Sequence, residues 1–341
     1  MSDGHGFLQH VLGGITAFAE HQFAEHRLNQ ERLVVMRESI ERIVDASEPR
    51  IRLVGDYAEK LVDAVETASA HCEGVLRQVP PALALGGRAW ARDPRVNAFF
   101  ATADDLRAIL SGDPEVRAFF KESGRPECFA WMLMIKRESE TFRTALEGGM
   151  LVREVRQIQI SFSDHRLFSP AASESELRKE LQKRLLVFLA TRARDRIVEL
   201  RTRRETLEEQ RRQLRAQLGA LRGNAHGPRP LPSSADPDER RLAELERRLE
   251  RTEQDLADAR KPLSTLDDYL EQVRRVLGQP ESYLRIRPLS LRINRLGIKL
   301  APDSPEPGET IALVELTSLE EQRIGVLVRF GREELSPDGA M

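Results

Sequence analysis

A run of leucines spaced seven residues apart constrains the fold of this chain more than any other feature. The run is unbroken through Leu242, Leu249, Leu256, Leu263, Leu270 and Leu277. The second apolar position of the same repeat holds Leu245, Leu266 and Val273 and, more weakly, Thr252 and Ala259. This period places an apolar stripe along an α-helix, and such a stripe is buried by pairing with another helix in a coiled coil.

A second leucine repeat precedes the first and predicts the partner helix. It consists of Leu200, Leu207, Leu214 and Leu221, with Ile197 and Leu218 in the complementary positions. Ser173 and Glu176 match a capping box at the start of this helix. The stretch 223–236, rich in Gly, Pro and Ser, predicts a loop. Residues 170–280 are therefore predicted to form an antiparallel coiled-coil hairpin, with a kink or restart at Pro262.

The two arms of the predicted hairpin differ in charge. Arginines of the outgoing arm are Arg192, Arg194, Arg196, Arg201, Arg203, Arg204, Arg211, Arg212 and Arg215. Acidic residues of the return arm are Asp236, Asp238, Glu239, Glu244, Glu246, Glu250, Glu253, Asp255 and Asp258. Opposite charges beside an antiparallel seam set its register. Because aromatic residues for base stacking are absent from the arm, the pattern favours pairing within the hairpin over nucleic-acid binding.

The N-terminal 169 residues are predicted to be an α-rich domain that contains a β hairpin. Amphipathic helices are expected over 7–45 and 51–76. A repeat then starts at Asp93-Pro94 and returns at Asp113-Pro114, and each copy ends in two Phe residues. An Asp cap followed by Pro begins a helix efficiently, so two short helices are expected to bury their Phe pairs in one core.

The β hairpin is predicted from two short segments around a glycine pair. Residues 129–135 are continuously apolar, and Ile158, Ile160 and Phe162 alternate with polar residues. Gly148-Gly149 lies between them as a turn signal. Two antiparallel strands are expected, with a helix over 129–146 as the alternative, because periodicity does not separate the two for a short apolar run.

Composition and motifs argue against several classes of protein. The 341 residues are 32% charged and 5% aromatic, with a net charge of −2. Cys72 and Cys128 give no disulfide framework, and neither a signal peptide nor a membrane-spanning stretch is recognised, so a cytoplasmic protein is expected. The consecutive residues Ser163-Asp164-His165 cannot form a catalytic triad, and no metal-ligand spacing or phosphate-binding glycine loop occurs. The chain is predicted not to be an enzyme.

The C-terminal segment 283–335 contains short strands with the order and spacing of a known family. Strand-like runs occur at 283–287, 290–293, 297–300, 311–316 and 324–330. This segment resembles PilZ domains, a resemblance that implies a small β barrel and cyclic di-GMP as the ligand. Arg292, Asn294 and Gly297 stand at the family's strand motif, where Arg replaces Asp or Asn and Asn replaces Ser. The Arg-x-x-x-Arg motif is missing, and the nearest candidates on the adjoining strand are Arg285 and Arg287.

The sequence thus predicts a mainly α chain of three segments: 1–169, 170–280 and a small PilZ-like β barrel over 281–341. The predicted function is that of a non-enzymatic cytoplasmic scaffold or signalling protein that contacts partner proteins through the coiled coil and the barrel. No cofactor is expected, cyclic di-GMP is a candidate ligand, and homo-oligomerisation stays open. The alternative is a nucleic-acid-associated coiled-coil protein that uses the Arg-rich arm 192–215.

Overall fold

The chain folds into two compact units, which a computed structural model describes at residue 30 and over residues 32–147, 150–224, 237–294, 296–317 and 322–336. The helical unit consists of residues 1–67 and 187–278, and the sheet unit of residues 68–186 and 279–341. Each unit draws on two separate stretches of chain, whereas the sequence predicts three consecutive segments.

One open sheet of six strands forms the centre of the sheet unit. Its strands are β1 Leu83–Ala84, β2 Glu127–Glu147, β3 Met150–Ala171, β4 Arg285–Ile293, β5 Glu309–Thr317 and β6 Gln322–Gly331. The strand order is β3-β2-β6-β5-β4 with antiparallel neighbours, and the two-residue β1 pairs parallel to β6. Since β3 and β4 lie at opposite ends of this order, the sheet does not close.

The predicted small β barrel over 281–341 is therefore wrong, and so is the mainly α fold class built on it. The strand β6 lies between β5 and β2, and Cys128 and Met134 of β2 lie opposite Phe330 and Ile324 of β6. The second edge of β6 thus pairs with β2 of the N-terminal hairpin and not with another C-terminal strand. Strand patterns in a sequence specify burial but not the partner strand, so they do not indicate that a C-terminal strand pairs with the N-terminal hairpin.

The predicted antiparallel β hairpin is confirmed, and the alternative helix over 129–146 is wrong. Its two strands are much longer than the patterns indicate, and their pairing extends to Glu147 opposite Met150. The pairing of β2 with β6 ends at Met134, and beyond it β2 remains paired with β3. On its other edge β3 is bonded to the segment that follows β4, through an isolated bridge between Gln159 and Ile298.

Four short helices cover one face of the sheet: α3 Gly87–Arg92, α4 Pro94–Phe99, α5 Ala103–Gly112 and α6 Pro114–Ser123. Asp93 and Asp113 cap α4 and α6 through hydrogen bonds from backbone N–H groups, as the repeat predicts. Phe99, Phe100 and Phe120 enter one core with apolar residues of the sheet, which confirms that both copies bury phenylalanines together.

The helical unit contains α1 (residues 32–47), the long helix α7 Glu174–Asn224 from Val187 onward, α8 Pro237–Arg260 and α9 Leu266–Gly278. It also holds the first residues of α2 Tyr57–Arg77. A 3-10 turn at Lys261–Leu263 separates α8 from α9, which confirms the restart expected at Pro262. The predicted loop 223–236 is wrong at residues 223 and 224, which belong to α7. The rest of that segment and the helix expected before residue 30 lie outside the described residues.

The start of α7 confirms the cap predicted at Ser173. The Ser173 hydroxyl accepts a hydrogen bond from the Glu176 backbone N–H at 3.2 Å. The Glu176 carboxylate reaches back to the N–H of Ala172 rather than to that of Ser173. Among the described helices, none is long and apolar enough to cross a membrane.

Candidate docking site on the helical hairpin

The predicted anion-binding arginines Arg285 and Arg287 are exposed on the edge strand β4. Because they are two residues apart on a strand, they lie on the same face, as expected. The Arg285 Nε donates to the backbone oxygen of Glu281 at 3.0 Å, and Arg287 lies opposite Glu315 of β5. The cationic character of this pair is therefore partly balanced by a neighbouring carboxylate.

Arg292 holds a loop in place. Its guanidinium donates to the backbone oxygens of four loop residues at 2.9–3.1 Å, namely Ala301, Pro302, Ser304 and Glu306. These bonds satisfy carbonyl groups that lack partners in regular secondary structure. These four hydrogen bonds of the Arg292 guanidinium thus all go to the 301–306 loop.

Asn294 and Gly297 build a turn next to that loop. The Asn294 Oδ1 accepts from the N–H groups of Leu296 and Ile298 at 2.9 and 3.0 Å. Gly297 has a φ of 74°, and its carbonyl accepts from the Ile160 N–H at 2.7 Å. Asn294 thus holds the turn together, and Gly297 bonds the turn to β3.

The fold does not bring the five predicted ligand residues together. A strand advances about 3.3 Å per residue, so Arg285 and Arg292 lie roughly 23 Å apart along β4. The motif residues shape one end of the strand, and the paired arginines lie toward the other.

The side chains of Ser163, Asp164 and His165 have separate surroundings. The Asp164 carboxylate accepts from Arg323 at 2.7 Å and from Arg166 at 3.1 Å, and these bonds lower its pKa. The His165 ring stacks on Phe100 at 4.9 Å, and burial lowers its pKa. No hydrogen bond joins the three side chains in the part of the chain that the structure describes.

No metal site is assembled among the described residues, where no three His, Cys, Asp or Glu side chains cluster. His71 Nε2 lies 3.0 Å from the backbone oxygen of Leu284, and its neighbour Cys72 is buried.

The hairpin of α7 and α8 has one constant antiparallel register. Three ion pairs join the arms: Glu208–Arg260 at 3.1 Å, Arg215–Glu253 at 2.6 Å and Arg222–Glu246 at 2.7 Å. Each step of seven residues along α7 is matched by a step of seven back along α8. The bond from Arg196 Nε to Gln272 Oε1, at 3.0 Å, falls in the same register and extends it to α9. We call the side formed by these three ion pairs the closed flank.

The seam between the arms contains two arginines that the leucine pattern does not reveal. Arg204 and Arg211 occupy the heptad positions between Ile197 and Leu218, and both are half-buried. Their Nε atoms are shielded from solvent and have no hydrogen-bond partner among the described residues. Glu208 lies between them, and Arg260, with smaller contributions from Arg204 and Arg211, lowers its pKa. The signal was present in the sequence as Arg at two successive heptad positions.

The opposite side of the hairpin, the open flank, contains a shallow groove of about 400 Å³. Its lining consists of Gln210, Gln213, Leu214, Gln217, Arg248, Arg251 and Thr252. Within the described part of the chain, no ion pair crosses this flank between α7 and α8. Ion pairs thus join the two arms on one side of the hairpin, whereas the groove on the other side presents amides and guanidinium groups to solvent.

Comparison with known proteins adds no relative. No family model, curated protein or solved structure matches this chain. The resemblance of 283–335 to PilZ domains consequently rests on the sequence alone.

Proposed function

We propose that this chain is a non-enzymatic scaffold or signalling protein that acts through protein contacts, with the open flank of the hairpin as its docking surface. The difference between the two flanks is the observation that carries the proposal. Opposite charges beside an antiparallel seam fix its register, and the three ion pairs that join the described parts of the two arms all lie on the closed flank. Polar groups along the open flank are then available to a partner.

The rigidity of the hairpin supports a docking role. The 24 residues of α8 correspond to a helix about 36 Å long, at about 1.5 Å per residue. A surface built on paired helices is preorganised, so less conformational entropy is lost when a partner binds.

Two observations support this function over the alternatives. The carboxylates of Glu253 and Glu246 pair with Arg215 and Arg222, which reduces the charge that the arm offers to a nucleic acid. The arginine pairs around Asp164 favour a structural role for that carboxylate over a catalytic one. Both cysteines are free and buried, which is typical of the cytoplasm, where we place the protein.

Site-specific photo-crosslinking in cells that make this protein tests the proposal. A photoreactive residue at Gln217 reports on the open flank, and the same residue at Ala216 is the control, because adjacent helical positions point about 100° apart. We expect a defined protein to crosslink at Gln217 and not at Ala216, and to bind the purified chain. Equal crosslinking at both positions, or no binding by the purified protein, would refute the docking function.

A further inference from the structure

We propose that the open flank binds an acidic amphipathic helix of a partner protein. This inference rests on the proposed docking function and specifies the chemistry of the partner. It follows from the position of the groove between two helices, from the charge of its lining and from the lining groups that have no partner within the described chain.

The groove lies between two helices, at a place where a third helix could pack. It lies between the antiparallel helices α7 and α8, with Leu214 and Thr252 at seam positions on opposite arms. Leu214 is the apolar member of this lining, and amides and guanidinium groups border it, which suits a helix that sets a leucine against Leu214 and polar residues against the groups around it. An added helix at this flank would complete a three-helix arrangement along the hairpin.

The charge of the lining selects an acidic partner. Its charged members are Arg248 and Arg251, and it includes no carboxylate. In the described part of the chain Arg251 has no ion-pair partner, whereas Arg248 donates to Glu244 of its own helix at 3.1 Å. A guanidinium group pairs with a carboxylate in two-point geometry, so glutamates beside the apolar stripe of a partner match these two positions.

The amide groups of the groove complete the match. The side chains of Gln210 and Gln217 are exposed and make no hydrogen bond within the described residues, whereas Gln213 donates to Glu209 at 3.0 Å. Amides donate to carboxylates as readily as they accept from other groups. A second copy of the same flank is disfavoured, because it would bring arginines against arginines.

The test uses the full-length protein and a synthetic helical peptide of about 21 residues, long enough to span the groove. The acidic peptide carries leucines in a heptad stripe flanked by glutamates, and a matched peptide has lysines in place of the glutamates. Binding of the fluorescently labelled peptides is measured by anisotropy. Arg251→Glu is the test variant, and Arg240→Glu makes the same charge change on the outward face of α8.

We expect the acidic peptide to bind with a Kd on the order of 10 μM and the lysine peptide to bind at least about tenfold more weakly. Arg251→Glu should weaken the acidic peptide by about tenfold, and Arg240→Glu by less than about twofold. Raising the salt concentration from about 0.05 to 0.3 M should also weaken it, because the contacts are near the surface.

The inference is overturned if both peptides bind equally, if neither binds, or if Arg240→Glu and Arg251→Glu have the same effect. A protein that crosslinks at Gln217 but binds the Arg251→Glu variant normally would overturn the acidic-helix inference and leave the docking function standing. Absence of any crosslinked protein, with the acidic peptide bound as expected, would instead refute the docking function in the cell.

Discussion

The guanidinium of Arg215 on the outgoing arm donates to the carboxylate of Glu253 on the return arm at 2.6 Å. The same register is repeated seven residues away on either side, by Glu208 with Arg260 and by Arg222 with Glu246. Each ion pair is exposed and contributes little to stability by itself. Because the three pairs share one register, together they align the two arms.

Reversal of one charge of this pair should destabilise the hairpin, and reversal of both should restore it. We expect Arg215→Glu to lower the free energy of unfolding by about 0.5–1 kcal/mol, because it places two carboxylates together at an exposed position. The double variant Arg215→Glu/Glu253→Arg should recover most of this loss in urea unfolding. Additive losses in the double variant would mean that the two residues do not interact in solution.

Leu256 should contribute much more to stability than its exposed neighbours. It lies in the seam and is only 2% exposed. We expect Leu256→Ala to lower the free energy of unfolding by about 2–5 kcal/mol, through lost burial and a cavity. Gln254→Ala, two residues away on the outward face, should change it by less than about 0.5 kcal/mol. Thermal unfolding followed by circular dichroism at 222 nm measures both; similar melting temperatures would place the seam elsewhere.

Gly297 should not tolerate a side chain. Its φ is 74°, and a Cβ there would lie 2.9 Å from the backbone oxygen of Ile160. Gly124 has a φ of 61° with no atom within 4 Å of the same added carbon, so it is a matched control for backbone strain alone. We expect Gly124→Ala to cost about 1 kcal/mol and Gly297→Ala at least about 1 kcal/mol more, as measured by chemical unfolding. Equal costs would show that the turn moves freely away from β3.

The two cysteines should make the protein less stable at high pH. Burial raises the pKa of the Cys72 and Cys128 thiols from 9.0 to about 12. In the unfolded chain each thiol ionises near pH 9, whereas in the folded chain it stays protonated. The contribution to stability is therefore complete below pH 9 and is lost as the pH rises toward 12.

The measurement for this prediction is the free energy of unfolding between about pH 8 and 10.5, where the thiols titrate only in the unfolded state. We expect a Cys72→Ala/Cys128→Ala variant to lose less stability over this range than the original chain. The thiols should also react slowly with a disulfide reagent until denaturant is added. Fast reaction of the native protein would contradict the buried state.

Cyclic di-GMP should not bind tightly to this chain. The Arg292 guanidinium is committed to four carbonyls, and Arg285 and Arg287 lie on another part of β4. We expect no heat in calorimetry with the full-length protein. Micromolar binding that is lost in an Arg285→Ala/Arg287→Ala variant would instead establish a nucleotide site on the edge strand.

Local patterns in the sequence predicted most individual elements of this fold. The seven-residue leucine spacing predicted both arms of the hairpin, since a heptad stripe has no other way to be buried in a chain of this polarity. The Asp-Pro starts predicted α4 and α6, because the cap and the fixed proline φ act within one turn. The alternation from Ile158 to Phe162 predicted a strand for the same reason.

Contacts between distant parts of the chain were decided by the tertiary structure. The pairing of Cys128 with Phe330 joins strands about two hundred residues apart in the sequence. Backbone hydrogen bonds are the same for every strand partner, so no residue pattern predicts which two strands pair. The position of the open flank was likewise not predictable from the sequence, because leucine spacing indicates a seam but not which side of it carries the ion pairs. That choice depends on the register between Arg215 and Glu253, which exists only once the two helices have packed together.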